Sequence, residues 1–421
     1  MTQRRIPILL ISAGLLVVCG LCALTLYGTY AWFSTQQANI RLFTSIDTSA
    51  TLTENETYAA KDTLIIDSDS GNITILPGEG DQIEVEMVKT GWGTDQAGAE
   101  KAVEAIKVDV QETNNTLQFT YNLPEEFGVG LSRGGQDSVD FTIRAPANTI
   151  VEIQGGFGDI SLTGLTQRVT VDTGFGLITA QDLQTGENPI HLVTSFGDIQ
   201  FENSTGSEIY LESSNGKLTG TDLSTLGTLE ASSSFGDIHL DGLTAETVTV
   251  SSQNGVVEVL NGEVSGKITA SSNFGDITLQ NLTANSYNLE SQNGKISVDG
   301  LAGKVVIRNG FGDIEVTHGV NVTLDMGSSN GNVSYSGSLN PDADHQLNSD
   351  FGDLTVTLPE DSAFDLSLET SFGEINSDFP VTLFGTLEET SWQAEINGGG
   401  PLITATTDNG NITLRILAEG E

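Results

Sequence analysis

The sequence has little of what several common protein classes need. Its two cysteines, Cys19 and Cys22, both lie near the N-terminus, so the rest of the chain can form neither a disulfide nor a thiolate metal site. Val18 and Leu21 directly precede them, so lipid attachment is not expected. Aromatic residues make up only 6% of the chain, whereas glycine occurs 48 times. This composition cannot fill a large round core and favours a fold with many turns and a thin apolar interior.

Basic residues are also scarce. The chain has 16 lysines and arginines against 57 aspartates and glutamates, which gives a formal net charge of −41. Such a surface repels nucleic acid phosphates and anionic lipid headgroups, so no nucleic-acid partner is expected. The charge keeps an exposed protein soluble and favours cations as local partners.

One long hydrophobic run is present, at the N-terminus. Arg4 and Arg5 precede an apolar stretch over residues 6–33, which is long enough to cross a bilayer as a helix. The run ends in interfacial aromatic residues and lacks a small-residue cleavage site, which favours an uncleaved signal anchor over a removed signal peptide. We therefore predict a single-pass protein of the cell membrane with residues 1–33 as cytoplasmic stub and transmembrane anchor. We expect the N-terminus to be cytoplasmic and the bulk of the chain to be extracytoplasmic.

The next part of the chain changes character twice. Residues 34–60 are polar without a clear period and are predicted to be a tether. Residues 61–150 contain short alternating runs typical of half-buried strands, including 116–121 and 139–143. Ala99–Val108 has apolar residues at helical spacing and is predicted to be the only soluble helix. Residues 123–136 are predicted to form a surface loop.

A repeat of about 20 residues then dominates the sequence. Its marker is a glycine that follows Phe or Asn and usually precedes Asp-Ile or x-Ile. The marker glycines are Gly158, Gly176, Gly197, Gly216, Gly236, Gly255, Gly275, Gly294, Gly312, Gly331, Gly352 and Gly373. Ala394 is interpreted as a degenerate copy, and Gly410 as the closing one. Between Gly197 and Gly352 the preceding residue alternates between Phe and Asn, so the unit there is a pair of coils.

Each coil has two short apolar-polar-apolar triplets separated by a turn, as in Ile238-His239-Leu240 and Val248-Thr249-Val250. Period-two alternation places one face of each triplet inside, and stacking of neighbouring coils buries it. The predicted fold class is therefore all-β: a single-stranded β-solenoid (β-helix) of about 14 coils over residues 151–421. Residues 61–150 are predicted to cap its first end.

The aspartates of the marker form the first candidate site. Asp159, Asp198, Asp237, Asp276, Asp313 and Asp353 would line up along one edge of a solenoid. One interpretation is a weak cation ladder, for example for Ca²⁺, which prefers several oxygen ligands. The favoured interpretation is structural, because Asp commonly bonds turn amides and the intervening coils carry Lys217, Val256 or Lys295 at this position.

The marker phenylalanines form a second row. They could be an exposed aromatic ladder for sugars, but an evenly spaced Phe column is expected to be a stacked interior row. No catalytic set is evident, and the four histidines share no metal-ligand spacing. We therefore predict no catalytic residues, no cofactor and no other metal site.

The repeat and the region before it resemble the bacterial DUF4097 family of proposed adhesin domains, over roughly residues 61–417. The resemblance is carried by Ser70-Gly71-Asn72-Ile73-Thr74-Ile75, the predicted short helix, Phe141-Thr142-Ile143-Arg144-Ala145-Pro146 and the serial Gly-Asp-Ile coils. It implies a β-solenoid, often on a membrane-anchored or envelope protein and sometimes linked to envelope-stress regulation. It brings no catalytic residues to transfer.

Taken together, these features predict a membrane-anchored, non-enzymatic, adhesin-like protein of the bacterial cell surface. Its acidic solenoid would contact a cell-surface glycan or protein through many weak contacts. One alternative is an envelope-stress sensor or scaffold that acts through a membrane partner. A second alternative is a carbohydrate-active β-helix enzyme, which the acidic rows make conceivable.

Overall fold

The structure is a computed structural model that describes residues 47–123, 135–384 and 389–418. The predicted membrane anchor over residues 6–33 lies outside these residues. Within the part of the chain that is described, no helix is long and apolar enough to cross a membrane. The predicted surface loop over 123–136 also lies mostly outside the described residues.

The chain divides into two compact units. In the described chain the smaller comprises residues 47–52, 90–106 and 135–137, and it contains the helix α1 (Gln96–Ala105). This confirms a helix in the predicted region but moves its start, because Asp95 caps the N-terminus and its Oδ1 accepts from the Gly98 amide at 2.8 Å. Ala99 and Val103 are its buried residues.

The remaining elements are strands. Those before the serial repeat are β1 (Thr48–Ala59), β2 (Thr63–Ser70), β3 (Ile73–Pro77), β4 (Gln82–Gly93), β5 (Asp109–Glu112), β6 (Thr116–Tyr121) and β7 (Ser138–Ala145). The serial repeat contains β8 (Ile150–Phe157), β9 (Ile160–Thr163), β10 (Val169–Phe175), β11 (Ile178–Gln181), β12 (Ile190–Phe196), β13 (Ile199–Gly206), β14 (Ile209–Asn215), β15 (Leu218–Thr225), β16 (Thr228–Phe235), β17 (Ile238–Ala245), β18 (Thr247–Asn254), β19 (Val257–Val264), β20 (Lys267–Phe274), β21 (Ile277–Thr283), β22 (Ser286–Asn293), β23 (Ile296–Asp299), β24 (Ala302–Phe311), β25 (Ile314–Asn330), β26 (Val333–Leu339), β27 (His345–Phe351) and β28 (Leu354–Leu358). The last strands are β29 (Phe364–Phe372), β30 (Ile375–Ser377), β31 (Thr382–Leu383), β32 (Ser391–Ile396), β33 (Leu402–Asn409) and β34 (Ile412–Ile416). Strand β1 lies within the stretch that was expected to be a tether, and most of its side chains are exposed, so it carries no hydrophobic period.

The larger unit comprises the described residues of 53–89, 107–123 and 138–418, and it contains the predicted β-solenoid. Each turn contributes one strand before its marker glycine and one after it. Strands before the glycine pair in parallel, as β10 does with β8 and β12, and form what we call the first face. Strands after it pair in the same way, as β11 does with β9 and β13, and form the second face. About ten turns follow one another in chain order from β8 to β28, fewer than the 14 sequential coils expected.

Chain order and spatial order differ at both ends of this ladder. On the first face β2 lies between β6 and β8, and on the second face β3 lies between β7 and β9. At the other end β33 lies between β27 and β29, and β34 lies between β28 and β30. The outermost strands of the first face, β6 and β29, each carry an antiparallel strand, β5 and β32. These added strands cover edges that would otherwise offer unpaired backbone groups.

The interpretation of Ala394 as a degenerate marker is wrong. Ala394 lies in β32, where it faces Leu366 of the antiparallel strand β29. Gly410 does not close the series either, because it stacks between Gly352 and Gly373. The segment around Ala394 has the alternation of a coil but no glycine where successive turns approach most closely, so it cannot join the parallel stack.

The core consists of apolar columns that run along the stack. On the second face, one residue per turn is almost completely buried: Ile160, Ile178, Ile199, Leu218, Ile238, Val257, Ile277, Ile296, Ile314, Val333 and Leu354. On the first face the corresponding column contains Val171, Leu192, Leu211, Ala231, Val250, Ala270, Leu289, Ile307 and Met326. Since each side chain packs on those of the turns above and below, no turn can bury its own residue alone.

The marker glycines are required by close backbone contact. A Cβ added to Gly197 or Gly216 would lie 1.9 Å from the carbonyl oxygen of the marker glycine in the preceding turn, and at Gly236 the distance would be 2.0 Å. These distances are far below van der Waals contact, so any side chain would force the turns apart. Gly176 and Gly312 have in addition a φ of 140°, which side chains disfavour.

Gly236→Ala is expected to lower the free energy of unfolding by more than about 2 kcal/mol, because the methyl group overlaps the Gly216 carbonyl. The measurement is equilibrium denaturation followed by circular dichroism. Gly186→Asn is the control, since Gly186 has open space around it and Asn tolerates its positive φ. Equal stability of Gly236→Ala and the wild type would contradict the close-stacking account.

His345 is a buried polar residue of the core, 2% exposed. Its Nδ1 accepts from the Leu324 amide at 3.3 Å, and its Nε2 donates to the Asn340 carbonyl at 3.1 Å. Only a neutral imidazole can do both. Burial lowers the pKa of His345 below its ordinary value of 6.5.

The solenoid should therefore lose stability as the pH falls below about 6.5, because the unfolded chain then binds a proton that folded His345 excludes. The free energy of unfolding of the wild type should drop more between neutral pH and about pH 5 than that of His345→Gln. Urea titrations of both proteins at the two pH values measure this difference. Identical drops would show that His345 does not contribute.

Candidate functional site

The marker phenylalanines are exposed, so the prediction of an interior row is wrong. We call these side chains the phenylalanine row: Phe157, Phe175, Phe196, Phe235, Phe274, Phe311, Phe351 and Phe372. Their exposed fractions run from 42% for Phe175 to 74% for Phe372. The row lies at the end of the first-face strands, next to the marker glycines, and is the largest set of exposed aromatic side chains in the described residues.

The alternation of the strand explains why these rings point outwards. In β16, Ala231 and Ser233 point inwards, whereas Ser234 and Phe235 both face outwards, so the period breaks just before the glycine. The same position is occupied by Asn215, Asn254 and Asn293 in intervening turns. An interior row would have had to bury these amides, and this alternation is the sequence signal that identifies the row as external.

The rings differ along the row. Phe157, Phe175 and Phe196 occupy successive turns and stack with centroids 4.7 and 4.8 Å apart, with their planes 7° from parallel. They are 42–49% exposed. From Phe235 onwards an asparagine separates the rings, and their exposed fractions rise to 57–74%. The alternating part therefore leaves ring surface uncovered that neighbouring rings would otherwise hide.

The separating asparagines are held in place by the turn below. The Nδ2 of Asn215 donates to the Ser195 carbonyl at 3.3 Å, and the Nδ2 of Asn254 donates to the Ser234 carbonyl at 3.2 Å. Asn293 contacts the Asn273 carbonyl in the same way at 3.4 Å. Rings and carboxamides thus alternate at fixed positions along the surface.

A buried hydroxyl row supports this surface from inside. In most turns, a Ser or Thr two residues before the ring or asparagine donates to the carbonyl of the marker glycine in the adjacent turn, at 2.8–3.4 Å. Thr173 has the same position before Phe175, but its buried hydroxyl makes no such bond. The members of the row are Thr194, Ser213, Ser233, Ser252, Ser272, Ser291, Ser328, Ser349, Thr370 and Thr407, and Asn309 does the same with its Nδ2. The sequence shows Ser-rich segments here, but only the register reveals that each hydroxyl satisfies one glycine carbonyl.

The six marker aspartates lie on the other side of the glycines and are exposed. Each Oδ1 accepts from a backbone amide of the next turn at 2.7–2.9 Å; the donors are Leu177, Lys217, Val256, Lys295, Asn332 and Asn411. This geometry supports the structural interpretation of the row. Within the described chain, no group of three or more His, Cys, Asp or Glu side chains is placed to hold a metal ion. A weak cation ladder along Asp159, Asp198, Asp237, Asp276, Asp313 and Asp353 stays a prediction.

The histidines are not brought together. His191 packs edge-on against Tyr210 with ring centroids 4.3 Å apart, and His239 pairs with Glu258 at 2.7 Å. His318 hydrogen-bonds Asp299 at 2.5 Å, which lowers the pKa of that carboxyl. These pairs lie in different turns and form no common site in the described structure.

Asp276→Asn is expected to keep the wild-type stability, because a carboxamide oxygen can accept from the Lys295 amide just as Asn72 and Asn332 accept at equivalent positions. Asp276→Ala should lower the free energy of unfolding by about 1 kcal/mol, the usual contribution of such a bond. Denaturation of both variants with and without added Ca²⁺ measures this. A Ca²⁺-dependent loss in Asp276→Asn would instead support the cation ladder.

The comparisons with known proteins give a family and three similar structures. The family model described as Toastrack DUF4097 matches residues 62–273 and 242–415. No curated protein matches the chain. Among solved structures, a proposed cell adhesion protein from Clostridium sporogenes is 8% identical, with a TM-score of 0.21, and the match covers 87% of this chain and all of that one. A proposed adhesin from Bacteroides fragilis is 14% identical, with a TM-score of 0.24, covering 89% and 99% of the two chains.

A third structure, of a proposed adhesin from Parabacteroides distasonis, is 11% identical, with a TM-score of 0.24, and the match covers 75% of this chain and 98% of that one. TM-scores this low do not establish a common architecture. The family assignment therefore rests on the sequence match, which runs over most of the chain.

Proposed function

The chain belongs to the Toastrack DUF4097 family, and from its exposed phenylalanine row we propose that it is a non-enzymatic, adhesin-like protein of the bacterial cell surface. The proposal includes a membrane anchor over residues 6–33, which the hydrophobic run and the preceding Arg4 and Arg5 support. The solenoid would then be held outside the membrane, where it contacts envelope or cell-surface components.

The observation that carries the proposal is the row of rings that repeats along the solenoid. Eight phenylalanines, each 42% or more exposed, lie at one edge of an acidic and otherwise polar surface. Exposed apolar groups in register mark interaction surfaces more often than they occur by accident. Because the contacts repeat with the turns, a long partner can engage several of them, and weak individual contacts add up to firm attachment.

The acidic charge narrows the choice of partner. A chain with a formal net charge of −41 repels anionic polymers and anionic membranes, so the phenylalanine row is suited to neutral or cationic surface components. High net charge also opposes the non-specific association that eight exposed rings would otherwise promote.

The triple change Phe235→Asn, Phe274→Asn and Phe311→Asn is expected to reduce attachment of cells that carry the full-length chain by about tenfold or more, because multivalent contacts are lost together. The solenoid should remain folded, because Asn occupies the same position in the neighbouring turns. Attachment to surfaces coated with envelope fragments, normalised to the amount of protein displayed, measures the effect.

Leu226→Asn is the matched control for this experiment. Leu226 is 77% exposed but is not part of the phenylalanine row, so its loss removes exposed apolar surface of another kind. Undiminished attachment of the triple variant, or an equal loss in Leu226→Asn, would refute the proposal.

A further inference from the structure

A shallow cavity of about 270 Å³ lies on the first face beside the alternating part of the phenylalanine row. Ser232, Ser251 and Ser271 pair across three successive turns and form its floor. Its outer wall consists of Ser234, Gln253 and Asn273, which directly precede Phe235, Asn254 and Phe274 in the chain. The cavity therefore opens next to two uncovered rings.

The lining of this cavity carries only one charged side chain, Glu212, although the chain has 57 acidic residues. Apart from Glu212 at one side, every lining side chain is a hydroxyl or a carboxamide. A charged ligand group would lose hydration here without meeting a row of opposite charges. Hydroxyls and carboxamides can instead donate and accept hydrogen bonds from a ligand that carries the same kinds of group. The occupant that fits this lining is uncharged and rich in hydroxyls.

The spacing of the rings adds a second constraint. Successive turns are 4.7–4.8 Å apart where rings stack, so Phe235 and Phe274, two turns apart, are separated by about 9.5 Å. Asn254 lies midway, with its Nδ2 bound to the Ser234 carbonyl. An extended β-1,4-linked glycan repeats every two sugars over a comparable length and presents the same apolar sugar face once in each repeat. Aromatic rings in every second turn can therefore contact equivalent faces of successive disaccharides.

We propose that the first face beside Phe235 and Phe274 binds an uncharged, β-linked polysaccharide strand that lies along the solenoid axis, with one disaccharide for every two turns. The rings stack on sugar faces, and the serine and carboxamide rows bond the sugar hydroxyls. This inference rests on the proposed function and specifies its ligand.

The test uses the full-length chain, purified in detergent, and soluble β-1,4-linked oligosaccharides of N-acetylglucosamine and of glucose, from disaccharide to hexasaccharide. Affinity measured by calorimetry should rise in steps with each added disaccharide. Phe274→Asn should weaken hexasaccharide binding by about threefold to tenfold, the value of one aromatic contact. Ser251→Asp, which places a carboxylate in the middle of the serine row without removing a ring, should weaken it as well, whereas Leu226→Asn should not.

Three results would overturn the inference. The first is that no oligosaccharide binds, or that binding is unchanged in Phe274→Asn. The second is that polylysine binds in a ring-dependent manner and the oligosaccharides do not, which would assign the surface to a cationic peptide. The third is that sedimentation shows a ring-dependent dimer, which would assign it to a second copy of the chain.

These outcomes are distinguishable from failure of the proposed function. If the triple phenylalanine variant loses cell attachment while no oligosaccharide binds, the adhesion surface stands and only the ligand class is wrong. If the triple variant attaches normally, the proposed function itself fails, whatever the oligosaccharides do.

Discussion

The close approach of successive turns at the marker glycines is the constraint on which the rest of the larger unit depends. With Cβ positions as near as 1.9 Å to the next carbonyl, only glycine fits, and the turns can stack at the spacing of a parallel sheet. The carbonyl that comes so close is satisfied from inside by a buried hydroxyl, such as Ser252 on Gly236. The backbone amide of the residue that follows the marker glycine in the next turn donates to an aspartate on the outside, as the Val256 amide does to Asp237.

This bonding also determines where the aromatic rings lie. The last inward position before the glycine belongs to the hydroxyl, and the two residues between the hydroxyl and the glycine both face outwards, as Gln253 and Asn254 do after Ser252. The sequence predicts the solenoid itself well, because glycine spacing and alternating Ile and Val residues are local signals. The sequence misleads about Phe235 and its equivalents, because a hydrophobic side chain suggests burial. The hydrogen bonds of the backbone at the marker glycine instead determine that these side chains point outwards. The Asn at the same position in alternate turns is the contrary evidence in the sequence.

Other features could not be predicted from local patterns. The coil of Gly410 resembles that of Gly373, so nothing local shows that it stacks on Gly352 first; only tertiary packing fixes this order. The serine-lined cavity is likewise a product of register. Ser232, Ser251 and Ser271 are far apart in the chain and become one row because the strands pair in parallel without a shift. By contrast, the role of the marker aspartates follows from the ordinary behaviour of Asp in turns.

The interchanged strands at the two ends have a consequence for how the ladder is completed. A solenoid whose turns follow strictly in order can be shortened from its terminus and lose only its last turn. Here β33 and β34 occupy a place between β27 and β29 on one face and between β28 and β30 on the other. Removing the C-terminal residues would therefore leave a gap inside the stack, with an outer turn cut off from its support. Strands β33 and β34 therefore hold the turn of β29 and β30 in the stack, and this end of the ladder is complete only when both strands have been synthesised and paired.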